Sequence, residues 1–127
     1  MTRIVGSCGS LTECSWIKAN QEQIEKHLAW HESVSSLEAE MLLRGKGSFT
    51  YLLRRGEEEQ AYYISFVKED GGIKHQRFTL EYDRKGWFYK NGQVTGTLPE
   101  IVDETIEGLI PQMMHCGAGE CKVIDRH

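Results

Sequence analysis

Residues 50–90 hold four short runs rich in aromatic and β-branched side chains, 50–54, 61–67, 75–82 and 87–90, broken by polar or glycine-bearing turns. Such runs read as strands, and the Glu69-Asp70-Gly71-Gly72 turn makes the middle pair a hairpin. An antiparallel sheet of at least three strands is therefore expected at the centre of the chain. Its first hairpin, YLLRRGEEEQAYYISF at 51–66, places two arginines where an apolar strand should be completing its core face. Because strand side chains alternate, Leu52 and Arg54 share one face while Tyr51, Leu53 and Arg55 share the other. At least one guanidinium must lie along an apolar surface. That costs several kcal/mol unless a matching anion meets it. The anion is either a carboxylate of Glu57, Glu58 or Glu59, or a ligand.

Helices flank the sheet. Three Ser/Thr-x-x-Glu boxes, Ser10 to Glu13, Ser35 to Glu38 and Thr97 to Glu100, mark helix starts, since hydroxyl and carboxylate satisfy each other's orphan backbone donors. The first predicts a helix carrying Ile17, Ile24 and Leu28 and ending near Ala29. The second predicts a short helix with Leu37, Met41 and Leu42, closed by Gly45. The third predicts a helix with Leu98, Ile101, Val102, Thr105 and Ile106, closed by Gly108. The expected fold class is α+β: a central antiparallel sheet flanked by two helices, with an additional N-terminal helix. Residues 1–29 form the helical extension, 30–110 the domain, and 111–127, which lack a clear period, a loosely attached tail.

At 127 residues the chain has room for one domain with a core that needs no disulfide staples. No apolar run approaches the ~20 residues of a membrane helix. Nothing at the N-terminus has the order of a signal peptide, so the four cysteines point to a reducing, cytosolic compartment. The net charge of −4 argues against nucleic acid as a partner. Its distribution is more telling: residues 41–90 carry ten Lys/Arg against seven Asp/Glu, a balance of +3, which leaves −7 on the rest. A basic middle in an acidic protein marks a local anion site rather than a polyanion surface.

Together these segments resemble the Src homology 2 domain, the phosphotyrosine-binding module, over about 30–109. Trp30 stands where that family begins with a tryptophan, and SSLEAEMLL at 35–43 resembles its first helix. Tyr51-Leu52-Leu53-Arg54 resembles its Phe-Leu-Val-Arg strand, and Ala61 to Phe66 the strand that follows. Ile73-Lys74-His75-Gln76-Arg77-Phe78 resembles the next, where a histidine and a basic residue two positions on approach the phosphotyrosine. Gly86-Trp87-Phe88-Tyr89 and TLPEIV at 97–102 resemble the later strand and second helix.

The resemblance implies that Arg54 grips a dianionic phosphate through paired, charge-assisted hydrogen bonds. It places Arg77 against the phosphate or the ring, and His75 beside it in a structural or ring-packing role. Arg55 has no established role in that family and reads as a solvated side chain that adds positive potential at the pocket rim. In the turn, Gly56 allows a backbone anion nest, while Glu57 and the carboxylates beside it oppose a dianion unless they splay into solvent or pair with Arg55. Ser65 and Ser36 complete the implied site. Ser36 occupies the helix position where the family commonly has a second arginine, and the loop 56–60 lacks the family's hydroxyls. The family's C-terminal loop and short strand are not recognisable after Gly108. These departures predict weak selectivity for residues flanking the phosphotyrosine. They also resemble Src homology 2 domains carried by effectors of intracellular bacteria, for which the host cytosol would be the location. The expected protein is a monomeric, non-enzymatic binding module for tyrosine-phosphorylated proteins, with no cofactor, metal, nucleic acid or membrane partner. Two alternatives stand beside it: a degenerate domain that contacts proteins without phosphate, and a metal protein built on His115, Cys116, Cys121 and His127.

Overall fold

In chain order the elements are α1 (Leu11–Glu25), β1 (Trp30–His31), α2 (Ser36–Leu43), β2 (Thr50–Arg55), β3 (Ala61–Val67), β4 (Ile73–Glu81), β5 (Gly86–Tyr89), β6 (Ile101–Asp103), α3 (Ile106–Met114) and β7 (Lys122–Val123). They come from a computed structural model, which describes residues 11–90 and 101–125. The strands form one sheet in the order β1-β2-β3-β4-β5-β6. The run from β2 to β6 is antiparallel, as the short turns require. At the outer edge of β2 the sheet becomes mixed. There β1 pairs in parallel with Leu53 and Arg54, and β7 pairs in parallel with Thr50 and Tyr51.

Alternation then sorts the side chains into two unequal cores. Tyr51 and Leu53 of β2, Tyr62, Ile64 and Phe66 of β3, Phe78 and Leu80 of β4, and Trp87 and Tyr89 of β5 join Ile17 and Ile24 of α1 and Leu109, Ile110 and Met113 of α3 in the main core. The opposite face holds a smaller cluster, in which Ala39 and Leu43 of α2 cover Leu52 and Val67. The sheet extends beyond that short helix, and Arg54 lies where the small core ends.

The second capping box forms as expected, with Ser35 Oγ accepting from Glu38 N–H at 3.2 Å and Glu38 Oε1 accepting from Ser35 N–H at 3.0 Å. The hairpin 68–72 also forms, with Gly71 taking the left-handed conformation (φ 93°) that its tight turn demands. Helix α1 is shorter than expected. His27 Nδ1 accepts from Ala29 N–H at 3.0 Å and turns the chain into β1, which leaves Leu28 exposed. Ser10 and Thr97, with Leu98 and Glu100, lie outside the described residues.

Two expectations are corrected. Ile101 and Val102 belong to a strand that pairs with β5, not to a helix. Asp103 Oδ1 accepts from both the amide and the hydroxyl of Thr105, and that turn separates strand from helix. Thr105 is the cap of α3, and Gly108 donates its N–H to Thr105 Oγ1 at 3.1 Å, so it opens the helix rather than closing it. The stretch 111–125 is no loose tail. Helix α3 continues to Met114 with Met113 and Met114 buried, and β7 reaches the sheet. The short C-terminal strand that could not be seen in the sequence is therefore present. Its signal failed because two exposed residues, Lys122 and Val123, carry the pairing through backbone alone.

Candidate functional site

Beyond the end of the small core, β2, β3 and β4 present two rows of side chains. The register aligns Arg54 with Tyr63 and Tyr63 with Arg77, and it aligns Leu52 with Ser65 and Ser65 with His75. The face is polar because each strand contributes a residue from its own alternation, Arg54, then Tyr63 and Ser65, then His75 and Arg77. Over it stand Ser35 and Ser36 at the start of α2. The result is a pocket of about 490 Å³ lined by Val34, Ser35, Ser36, Arg54, Arg55, Gly56, Glu57, Tyr63 and His75.

Arg54 is only 7% exposed. Its Nε–H donates to Ser65 Oγ at 3.0 Å, its Nη2 lies 3.2 Å from His75 Nδ1, and its guanidinium carbon sits 4.6 Å from the centroid of the Tyr63 ring. A guanidinium can only donate, so His75 Nδ1 is an acceptor and the imidazole proton is on Nε2. That nitrogen donates to Glu40 Oε2 at 2.9 Å. Ser65, fully buried, accepts from Arg54 Nε–H and donates its O–H to His75 Nδ1 at 2.7 Å. The chain Arg54, Ser65, His75, Glu40 thus fixes the plane of the guanidinium from behind. Nη1 makes no hydrogen bond among the described residues. Burial pulls the Arg54 pKa below the ordinary arginine range, and Tyr63, Glu57 and Glu40 partly offset it. The group stays charged at neutral pH because arginine starts above 12.

Arg55 points to the other side of the sheet. Its Nη2 donates to Glu25 Oε2 at 3.0 Å and to Glu32 Oε2 at 3.2 Å, and its guanidinium lies over the Trp30 ring at 5.2 Å. Although burial opposes its charge, hydrogen bonds and charge from those two acids raise its pKa. Arg55 therefore lines the pocket while its charge is engaged in joining α1 to β1. Arg77 is half exposed, donates through Nη2 to Glu58 Oε1, and does not line the pocket.

The turn after β2 is built differently from an anion nest. Gly56 donates its N–H to the Ala61 carbonyl at 2.9 Å, closing the β2–β3 connection, so this donor is not offered to the pocket. Glycine is required by close approach, since a Cβ at position 56 would lie 2.8 Å from the Ala61 oxygen. The left-handed residue is Gln60 (φ 64°), whose carbonyl accepts from Leu80 N–H and whose side-chain amide donates to the Leu80 carbonyl. Glu57 lies at the pocket, 3.4 Å from the Tyr63 hydroxyl, which donates to it.

Of the residues singled out in the sequence, the structure gathers Arg54, His75, Ser65, Ser36, Gly56 and Glu57 around one pocket. Arg77, two residues past His75 on β4, does not line it, and Arg55 lines it while its guanidinium pairs with Glu25 and Glu32 on the other face. Sequence reasoning missed Glu40 and Tyr63. The i to i+4 spacing from Ser36 to Glu40 placed that carboxylate on the pocket side of α2, and the alternation that picked out Ser65 also carried Tyr63. Among the described residues no group of three or more His, Cys, Asp or Glu is placed to hold a metal ion. No helix among them is long and apolar enough to cross a membrane.

A family model for the SH2 domain matches residues 30–104. The chain is also similar to the dual specificity protein kinase shkA of Dictyostelium discoideum, at 29% identity over 109 residues. That match covers 85% of this chain and 18% of the kinase, so the chain spans a small part of its curated relative.

Proposed function

The chain belongs to the SH2 domain family, whose members are binding modules, and we propose that it binds tyrosine-phosphorylated peptides through the Arg54 pocket. One observation carries this reading. Arg54 is nearly buried, held by Ser65 and His75 on one side, and among the described residues its Nη1 donors have no partner where it lines an open pocket. A buried, braced guanidinium whose counter-charges stand off is a costly arrangement for a fold alone, and it suits a ligand that supplies paired anionic oxygens.

The other groups take supporting roles. Ser36 stands at the start of α2, where the helix dipole favours an anion. Its hydroxyl replaces a second cation, so the phosphate is gripped by one arginine. The Arg54-over-Tyr63 stack places an aromatic wall beside the site. Arg77 reaches a bound ring by leaving Glu58, an exposed pair worth about 0–1 kcal/mol. The module is a monomer that acts by occupancy rather than catalysis, with no cofactor. With a single cation clamp and Glu57 at the rim, affinity comes mostly from the phosphotyrosine itself, and dependence on flanking residues is weak.

A peptide array with phosphotyrosine, phosphoserine and unphosphorylated versions of many sequences tests this. Binding to most phosphotyrosine peptides and to neither control is expected. Equal binding of phosphoserine would contradict it, because the shorter side chain leaves its phosphate short of Arg54.

A further inference from the structure

Cys116 and Cys121 stand with their sulfurs 3.6 Å apart at the two ends of the loop that joins α3 to β7. The backbone holds them in place. His115 ends α3 in the left-handed conformation (φ 57°), and Cys116 N–H then donates to the Pro111 carbonyl at 3.1 Å. Across the following turn Glu120 N–H donates to the Gly117 carbonyl at 3.0 Å, and Glu120 Oε1 accepts from Gly117 N–H at 2.8 Å. Both thiols are partly buried against the main core. A disulfide needs sulfurs about 2.05 Å apart, so closing the gap takes a movement of about 1.5 Å, the scale of a side-chain rotation. The loop is thus already ordered for the bond.

We propose that Cys116 and Cys121 are a redox-closable pair whose disulfide locks the α3–β7 loop onto the domain. With a low-molecular-weight disulfide such as oxidised glutathione as oxidant, the thiolate of Cys121 attacks one of its sulfurs. A mixed disulfide forms and one glutathione thiolate leaves. The sulfur of Cys116 then attacks Cys121 Sγ, the mixed disulfide breaks, and the second glutathione leaves. Two protein thiols lose their protons and two electrons, and one oxidised glutathione becomes two reduced ones. Cys121 makes the first attack because burial, with the neighbouring Cys121, raises the Cys116 thiol above its ordinary range and lowers its thiolate fraction. The second step is intramolecular, and the preformed turn supplies a high effective concentration.

The loop has two structural neighbours. Its C-terminal end feeds β7, where Lys122 N–H donates to the Phe49 carbonyl and Ile124 N–H to the Tyr51 carbonyl, both at 2.9 Å. Its first residue, His115, lines a cavity of about 500 Å³ with Phe49, Phe66 and Met114. The bond therefore fixes an edge of β2, the strand that carries Arg54, and one wall of that cavity.

The full chain, with Cys8→Ser and Cys14→Ser to remove the other thiols, is equilibrated with mixtures of reduced and oxidised glutathione and read by intact mass, peptide mapping and thermal melting. Expected are a loss of about 2 Da, a cross-linked peptide joining 116 and 121, and a Tm raised by roughly 4–8 °C that a reductant reverses. In Cys116→Ser the reaction should stop at a glutathione adduct on Cys121, with no rise in Tm. The proposal is overturned if the parent protein also stops at an adduct or fails to react, or if the bond forms without raising Tm.

Discussion

Removing the Ser65 hydroxyl is expected to damage both the fold and the pocket, because this one buried oxygen accepts from Arg54 Nε and donates to His75 Nδ1. Ser65→Ala leaves a charged N–H without its acceptor in a site from which water is largely excluded. An unsatisfied buried donor costs about 1–3 kcal/mol, more when charged, so a loss of about 2–3 kcal/mol is expected. With an unfolding entropy of about 2.1 cal/mol/K per residue, that corresponds to a Tm lowered by roughly 7–11 °C for a chain of this length. Peptide affinity should fall by roughly 3–10-fold, the effect of re-ordering a side chain that the native network holds still. A double-mutant cycle with Arg54 has a defined sign. In the Ser65→Ala background, Arg54→Met removes the stranded charge, so the double variant should be more stable than Ser65→Ala alone, with a coupling of about 1–2 kcal/mol. Melting curves and phosphopeptide titrations of the four proteins measure all of this. A Ser65→Ala protein that melts within about 1 °C of wild type would mean that Ser65 does not brace Arg54, since a lost acceptor for a buried charge cannot be that cheap.

Glu57→Gln should tighten phosphopeptide binding by roughly 2–10-fold at low salt and less at high salt, because it removes a like charge near a dianion; affinity that is unchanged at both salts would count against the placement of the phosphate. Gly56→Ala should destabilise by about 1–3 kcal/mol in urea unfolding, since its Cβ would meet the Ala61 backbone at 2.8 and 2.9 Å; an unmoved midpoint would show that the turn relaxes freely. Stability should decline as pH rises above about 10. Burial raises the phenol pKa of Tyr51, Tyr62 and Tyr89, with Glu107 and Cys121 adding to the effect at Tyr51. A folded-state pKa above the unfolded one gives stability that is complete below the unfolded value and is lost as pH climbs toward the folded value. Urea unfolding from neutral to strongly alkaline pH, compared with Tyr51→Phe, checks this: the variant should lose less stability across the range, and parallel curves would exclude Tyr51.

The sheet was legible because its strands advertise themselves. In β3 the run Ala61–Val67 has strand-forming residues throughout and a glycine turn after it, and its limits match those read from sequence. Alternation showed only that Arg54 or Arg55 must lie along an apolar face, and the likeness of Tyr51-Leu52-Leu53-Arg54 to the family's strand picked out Arg54. What stayed hidden depends on contacts between distant segments. Nothing local shows that β1 and β7 add in parallel to one edge of β2, because each is two residues long and is held by Leu53 N–H to Ala29 O or Lys122 N–H to Phe49 O. Ile101 and Val102 could serve a helix face or a strand equally well, and the pairing with β5 decided the matter. The partners of the arginines were equally non-local. The acidic turn offered three carboxylates, yet Arg55 went to Glu25 and Glu32, and Arg54 was braced by Ser65 and His75. Glu40 became part of the site only because α2 lies across β4.

Whether Arg54 is kept buried for a phosphate is decided by titrating a fluorescent phosphotyrosine peptide against wild type, Arg54→Ala and Arg54→Lys. Losing the main partner of a partly desolvated dianion costs about 2–5 kcal/mol, so Arg54→Ala should bind at least about 30-fold more weakly while remaining folded by melting. Arg54→Lys should also bind poorly, since an ammonium keeps the charge but not the paired hydrogen bonds. A folded Arg54→Ala protein that binds the peptide as tightly as wild type would contradict the account.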